Sequence, residues 1–169
     1  MQWISVKSIG VVHNRVNEKR IKESIVGVEG TLEVFEEYKE GLEGIDGFSH
    51  LMIVAFLDRV GPQEHPVLKI RFRRLLQYGV MLEDIPEVGV FCSDSPRRPV
   101  PIAITIVRLV KREKRLLHVN GLDLLDQTPI LDIKPYTPDR VVDEVKVPAW
   151  YETLLHKVSK KTGVKNPCL

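Results

Sequence analysis

The chain has 169 residues, 43% hydrophobic and 28% charged, which is the balance of one ordinary soluble domain able to bury a core without staples. Two cysteines, Cys92 and Cys168, exclude a disulfide framework and suit a reducing compartment, and a net charge of +2 is too small to argue for nucleic acid by itself. The longest apolar run, Leu51–Leu57, is too short for a membrane helix and the N-terminus lacks the apolar core of a signal peptide, so the expectation is a soluble, cytoplasmic protein.

Most of the chain reads as β. Ile4–Val12 mixes alternation with a Val-Val pair and predicts a first strand; Ile25–Phe35 predicts a second, with Gly27 and Gly30 marking bends or a bulge. Glu36–Gly41 is a charged turn or short helix. Phe48–Leu57 is apolar on both faces and predicts a central strand. Asp58–Pro66 is a loop, Val67–Phe72 a short strand, and Arg73–Tyr78 one helical turn before the break at Pro86. Val88–Cys92 leads into Ser93–Pro101, whose prolines cannot sit inside a sheet. Ile102–Val110 is β-branched on both faces and is the clearest strand. Lys111–Lys114 turns into Arg115–Asn120 as a hairpin, and Ile130–Ile133 is a last short strand. Pro148–Lys161 predicts a helix, with proline at its start, Trp150, Leu154, Leu155 and Val158 along one face, and Gly163 at its end. These elements predict a mainly β fold: a single closed or nearly closed β-barrel over residues 1–146, with a C-terminal helix and tail, 147–169, packed on the same domain.

Several familiar site patterns are missing. The series Gly41-x-x-Gly44-x-x-Gly47 differs from a dinucleotide fingerprint in spacing and precedes a strand rather than a helix, so it reads as turns. The five histidines show no metal-binding spacing, and no nucleophile elbow is present. Cys92 reads as a buried strand-end thiol. Two basic clusters stand out. Lys69, Arg71 and Arg73 alternate with apolar residues, which places three cations on one strand face. Lys111, Arg112, Lys114 and Arg115 crowd one hairpin tip. The plain reading of each is a solvated face that blocks edge-to-edge pairing; the functional reading is contact with RNA phosphates.

Two blocks dense in proline and ionisable groups are hard to assign to packing alone. The first, residues 89–109, carries Asp94, Arg97 and Arg98 on a rigid loop between apolar strands, the kind of scaffold on which sites are built. The second, Gly121–Tyr136, brings Asp123, Asp126, Asp132, Lys134 and Tyr136 into a loop–strand–loop. In isolation, the Asp126-Gln-Thr-Pro segment is a turn and Asp132 with Lys134 is an ion pair on one strand face.

These blocks resemble the TrmO-like family of S-adenosylmethionine-dependent tRNA methyltransferases. Ser95, Pro96, Arg98, Pro99, Pro101 and Ile102 match the family's proline-rich segment. Asp123, Leu124, Asp126, Thr128, Pro129 and Asp132–Tyr136 match its G-x-D-L-x-D-G-T-P-x-x-D-I-K-P-Y segment. Ile9-Gly-Val, Gly41-Leu-Glu-Gly and Gly47-Phe-Ser-His-Leu51 resemble its upstream elements. The sequence departs from the pattern at Asp94, Val100 and Gln127, where the family carries arginine, asparagine and glycine. Residues 13–24 lack the family's P-R-Q triplet, and Asp58-Arg59 replaces a histidine-glutamine type of pair.

The resemblance implies a small β-barrel that binds S-adenosylmethionine and works as a homodimer, with the site near the subunit interface. It implies methylation of N6 of threonylcarbamoyl-adenosine beside the anticodon of tRNA. Under it, Asp58, Arg59, Asp94, Arg98, Asp123, Leu124, Leu125, Asp126 and Lys134 are candidates to hold the cofactor. Asp132 and Tyr136 are candidates for the catalytic step. Lys69, Arg71, Arg73 and Arg97 are candidates for RNA contact. A methyltransferase with a small-molecule or other macromolecular acceptor, or a non-catalytic S-adenosylmethionine-binding module, are the alternative readings. No metal and no membrane partner is expected.

Overall fold

The computed structural model describes residues 4–60, 67–165 and 167. Among them are eight strands and two α-helices: β1 (Gly10–His13), α1 (Glu18–Glu23), β2 (Val28–Val34), β3 (His50–Phe56), β4 (Lys69–Ile70), β5 (Val88–Gly89), β6 (Ile102–Glu113), β7 (Leu116–Leu122), β8 (Pro129–Pro135) and α2 (Ala149–Thr162). Six strands close a barrel in the order β1-β2-β7-β6-β3-β8, and β8 returns to pair with β1. Every pairing in the barrel is antiparallel. The closed barrel and the C-terminal helix are the architecture that the strand pattern predicts.

The alternation of side chains decides which face of each strand is buried. Along β6, Thr105 and Val107 point inward and are buried, whereas Ile102, Ile104, Ile106, Arg108 and Val110 face outward. Val12, Leu32, Leu51, Ile53, Leu117, Leu122 and Ile130 fill the barrel, each with no exposed surface. The central position expected for residues 48–57 is observed, since β3 has β6 on one side and β8 on the other. Gly27 and Gly30 mark an irregularity where β2 meets β7. Gly27 adopts φ +74°, and a Cβ there would stand 2.3 Å from the carbonyl carbon of Gly121, so the two chain segments approach too closely for any side chain.

The chain forms two compact units, 1–61 with 101–141 and 62–100 with 142–169. The first holds the barrel. In the second, Phe72, Leu75, Val80, Ile85, Leu154 and Val158 form their own apolar cluster, with the Trp150 ring 5.9 Å from that of Phe72. Leu154 and Val158, one turn apart on α2, give the helix its buried stripe. Gly163 ends it with φ +71°. Residues 67–92 group with the helix in the second unit.

Three local expectations change. The first strand spans only Gly10–His13, with Ile9 hydrogen-bonded to Ile130 and Phe35 just before it, while Ile4 and Val6 are exposed. Residues 67–72 form a strand only at Lys69–Ile70. Cys92 is exposed and lies in a 3-10 turn, so its thiol is not packed at a strand end. Helix α1 has no counterpart among the expected elements. It is a single short turn-and-a-half whose signals are local: Asn17 accepts from the Arg20 N–H, and Lys22 pairs with Glu18 at 2.5 Å.

Candidate functional site

At one end of the barrel the segments following β1, β3 and β7 are tied to each other. The Asn14 N–H donates to the Asp126 carboxylate at 3.0 Å, and the Asn14 side-chain amide donates to the Leu124 carbonyl at 2.9 Å. Arg59 donates to the Asp126 carbonyl at 2.6 Å. Among the cofactor candidates, Arg59, Leu124 and Asp126 are thus brought together, and Asn14 joins them. The Leu124 side chain belongs to the barrel core, so only its backbone serves this knot. Leu125 is half-buried, and Asp58 and Asp123 are exposed.

Asn14 is the residue that sequence reasoning missed. Its Oδ1 is a buried acceptor with no hydrogen-bond donor among the described residues. A buried polar atom without a partner costs on the order of 1–3 kcal/mol, and such atoms are met by water, an ion or a ligand, or sit at strained or reactive positions. The sequence offered only a weak signal, an Asn closely following a β-branched strand.

Gln127, where the family pattern has glycine, adopts φ +64°. Its N–H donates to the Val12 carbonyl at 2.7 Å, and its side-chain amide lies 3.2 Å from His13 Nδ1. The left-handed backbone explains why glycine belongs there. Beyond it, Thr128 is buried and its N–H donates to the Leu125 carbonyl, which closes the turn.

The two catalytic candidates lie elsewhere on the barrel. Asp132 faces outward opposite Val54 and pairs with Lys134 at 2.5 Å, the ion pair that the strand spacing alone suggests. It also accepts from the Ile133 N–H. Tyr136 follows the far end of β8, where its N–H donates to the His50 carbonyl at 3.0 Å. Seven residues of β8 separate it from the Asp126 turn, about 20 Å of extended chain. Within one subunit, Tyr136 and the Asp126 knot therefore do not meet.

In the second unit, the proline-rich loop is braced by its own residues. Arg98 donates to the Ser93 carbonyl at 3.1 Å, and Ser93 Oγ donates to the Val90 carbonyl at 2.9 Å. Asp94 is exposed. Lys69, Arg71, Arg73 and Arg97 line one open hollow of about 350 Å³, together with Glu87 and Ser95. Although the strand expected to carry three of these cations is only two residues long, the fold still gathers them. Three of the four cations of the β6–β7 hairpin are paired: Lys111 with Glu113 at 2.5 Å, Arg112 with Asp46 at 3.0 Å, and Arg115 with Glu33. No group of three potential metal ligands occurs among the described residues, nor any helix long and apolar enough to cross a membrane.

A profile of the tRNA-methyltransferase O N-terminal domain matches residues 14–142, which include the Asn14–Arg59–Asp126 knot, the basic hollow and all of β8. The chain belongs to this family. A probable S-adenosyl-L-methionine-binding protein of Pyrococcus abyssi is 38% identical over 161 residues, covering 93% of this chain and 81% of that one. A tRNA (adenine(37)-N6)-methyltransferase of Mus musculus is 33% identical over 106 residues, covering 63% of this chain and 22% of that one. The crystal structure of TrmO from Pseudomonas aeruginosa superposes with a TM-score of 0.60 at 29% identity, covering 85% of this chain. The chain spans 61% of that TrmO, so family membership reaches further here than likeness to the whole enzyme.

Proposed function

We propose that the protein is an S-adenosylmethionine-dependent methyltransferase that modifies N6 of an adenosine in tRNA, threonylcarbamoyl-adenosine beside the anticodon. The observation that carries this reading is the Asn14–Arg59–Asp126 knot, which lies in the family segment and leaves the buried Asn14 Oδ1 without a donor among the described residues. The knot is rich in acceptors: Asn14 Oδ1, the Asp126 carboxylate and the nearby backbone carbonyls. Such a set suits a ligand that carries amino and hydroxyl donors and a positive centre, as this cofactor does. When bound, S-adenosylmethionine supplies a methyl group activated by its sulfonium.

The protein's own contribution is positional. Arg59 and the Asn14 N–H fix the Asp126 turn from two sides, so its carbonyls and carboxylate are held before any ligand arrives. Asp132 and Tyr136 are the groups we assign to the acceptor nitrogen and its proton.

The separation of Tyr136 from the Asp126 turn supports a homodimer in which each site draws on both subunits. The outer barrel face supplies a surface for it: Phe56, Ile102, Ile104, Ile106 and Val110 are exposed on β3 and β6, with Ile104 at 69%. Apolar side chains grouped in this way mark association sites. Ile104→Asp is expected to convert a dimer to a monomer in light scattering and to abolish transfer. A wild-type protein that is monomeric at micromolar concentration contradicts the shared site. The reading places the protein in the cytoplasm, with tRNA.

Calorimetry with S-adenosylmethionine and its demethylated product, followed by transfer of labelled methyl into tRNA from cells lacking this protein, tests the function. Absence of binding by both ligands overturns it. Binding without labelled tRNA moves the acceptor to another molecule.

A further inference from the structure

We infer that the hollow formed by Lys69, Arg71, Arg73, Arg97, Ser95 and Glu87 grips the phosphodiester backbone of RNA. This rests on the tRNA reading above and gives it a location in the 62–100 segment. The cations come from two pieces of chain, the continuous stretch Lys69–Arg73 and the proline-rich loop that carries Arg97, with Glu87 and Ser95 beside them. Arg71 and Arg73 flank Phe72 of the apolar cluster, and Arg71 donates to the Ile85 carbonyl at 3.3 Å. A solvated charged face does not require such convergence.

The second observation is the state of these charges. Among the described residues, Lys69, Arg73 and Arg97 have no carboxylate within ion-pair distance, whereas three of the four hairpin cations, Lys111, Arg112 and Arg115, each have at least one. Four cations against one carboxylate leave the hollow with an excess of three positive charges. Guanidinium groups present forked donors that match phosphate oxygens, and three of the four cations are arginines. Ser95 adds a hydroxyl donor. Glu87 repels phosphate but accepts a hydrogen bond from a ribose 2′-hydroxyl, the group that separates RNA from DNA. The hollow therefore fits a ribose–phosphate unit better than a free anion.

The test is the salt dependence of binding, read by fluorescence anisotropy with tRNA and with matched single-stranded RNA and DNA oligomers. The proteins compared are wild type, Arg73→Ala, Arg97→Ala, Arg73→Lys and Glu87→Gln, and calorimetry with S-adenosylmethionine is run on each. Each Arg→Ala variant is expected to flatten the slope of log K against log salt by about 0.7–1, with cofactor affinity unchanged. Arg73→Lys keeps the slope. Wild type prefers the RNA oligomer to the DNA one, and Glu87→Gln narrows that preference. Slopes equal to wild type in both Arg→Ala variants overturn the proposal, as does a wild type that binds no RNA. Neither result touches cofactor binding, which is measured independently, and loss of cofactor binding in the wild type overturns the methyltransferase reading alone. Equal affinity of wild type for RNA and DNA overturns the ribose contact of Glu87.

Discussion

The backbone N–H of Asn14 reaches across 112 residues of sequence to the Asp126 carboxylate, at 3.0 Å. Asp126→Ala leaves that donor without its acceptor, while the Arg59 bond, made to the backbone carbonyl, is kept. The expected loss is about 1–3 kcal/mol in thermal or denaturant unfolding, with S-adenosylmethionine affinity reduced at least about tenfold, the effect of losing one well-placed polar group. Asp126→Asn keeps an oxygen for Asn14 and is expected to retain stability to within about 1 kcal/mol. An alanine variant that unfolds and binds like wild type removes Asp126 from both roles.

Gln127 is held at φ +64°, a conformation that costs an ordinary side chain roughly 1–2 kcal/mol and glycine nothing. Replacement by glycine relieves this but makes the unfolded chain more flexible, a loss of about 0.5–1 kcal/mol. The net expectation for Gln127→Gly is a gain of up to about 1 kcal/mol, visible as a melting temperature raised by a few degrees. A lower melting temperature means that the contact of Gln127 with His13 outweighs the strain.

Glu33 joins two elements of the barrel surface. His13 Nε2 lies 2.5 Å from its carboxylate and Arg115 donates to its other oxygen. The hydrogen bond to His13 and then that to Arg115 hold its carboxyl below the usual glutamate range. A carboxylate with a lowered native value stabilises fully above its unfolded value, near pH 4.3, and loses that contribution as pH falls through the native one. Glu33→Gln is therefore expected to be less stable than wild type at pH 7, with the difference shrinking below about pH 4. Melting curves at pH 7 and pH 3 decide it, and a constant difference at both contradicts the assignment.

Leu154 is fully buried on α2 in the cluster with Phe72, Leu75 and Ile85. Leu154→Ala is expected to cost about 2–5 kcal/mol there. Hydrogen exchange should report the loss in residues 67–92 and 149–162 while the barrel strands keep their protection. Equal loss of protection in β2, β3 and β6 means that the two clusters unfold together.

Strands that are buried on one face were legible because alternation fixes them: the breaks around β2, β3, β6, β7 and β8 lie within a few residues of those expected. The C-terminal helix was equally clear from proline, apolar spacing and Gly163. Residues 67–92 were not, because their order comes from an apolar cluster completed by α2, some 60 residues later in sequence, rather than from local periodicity. For the site, the family blocks pointed to Arg59, Leu124 and Asp126, which the fold joins. The importance of Asn14 depends on a tertiary hydrogen bond and an unpaired oxygen, and neither leaves a pattern in sequence. Asp132 and Lys134 were read both ways, and the ion pair formed on the strand face is what their spacing alone gives.

Where β3 ends and β6 begins, Phe56 lies opposite Ile102, and the Leu57 N–H donates to the Pro101 carbonyl at 2.8 Å. The intervening chain, which begins with the Arg59 segment tied to Asp126, therefore starts and ends beside one residue pair of the barrel. Such a segment is a module: it can lengthen, shorten or be exchanged among relatives without shifting the register of a single barrel strand.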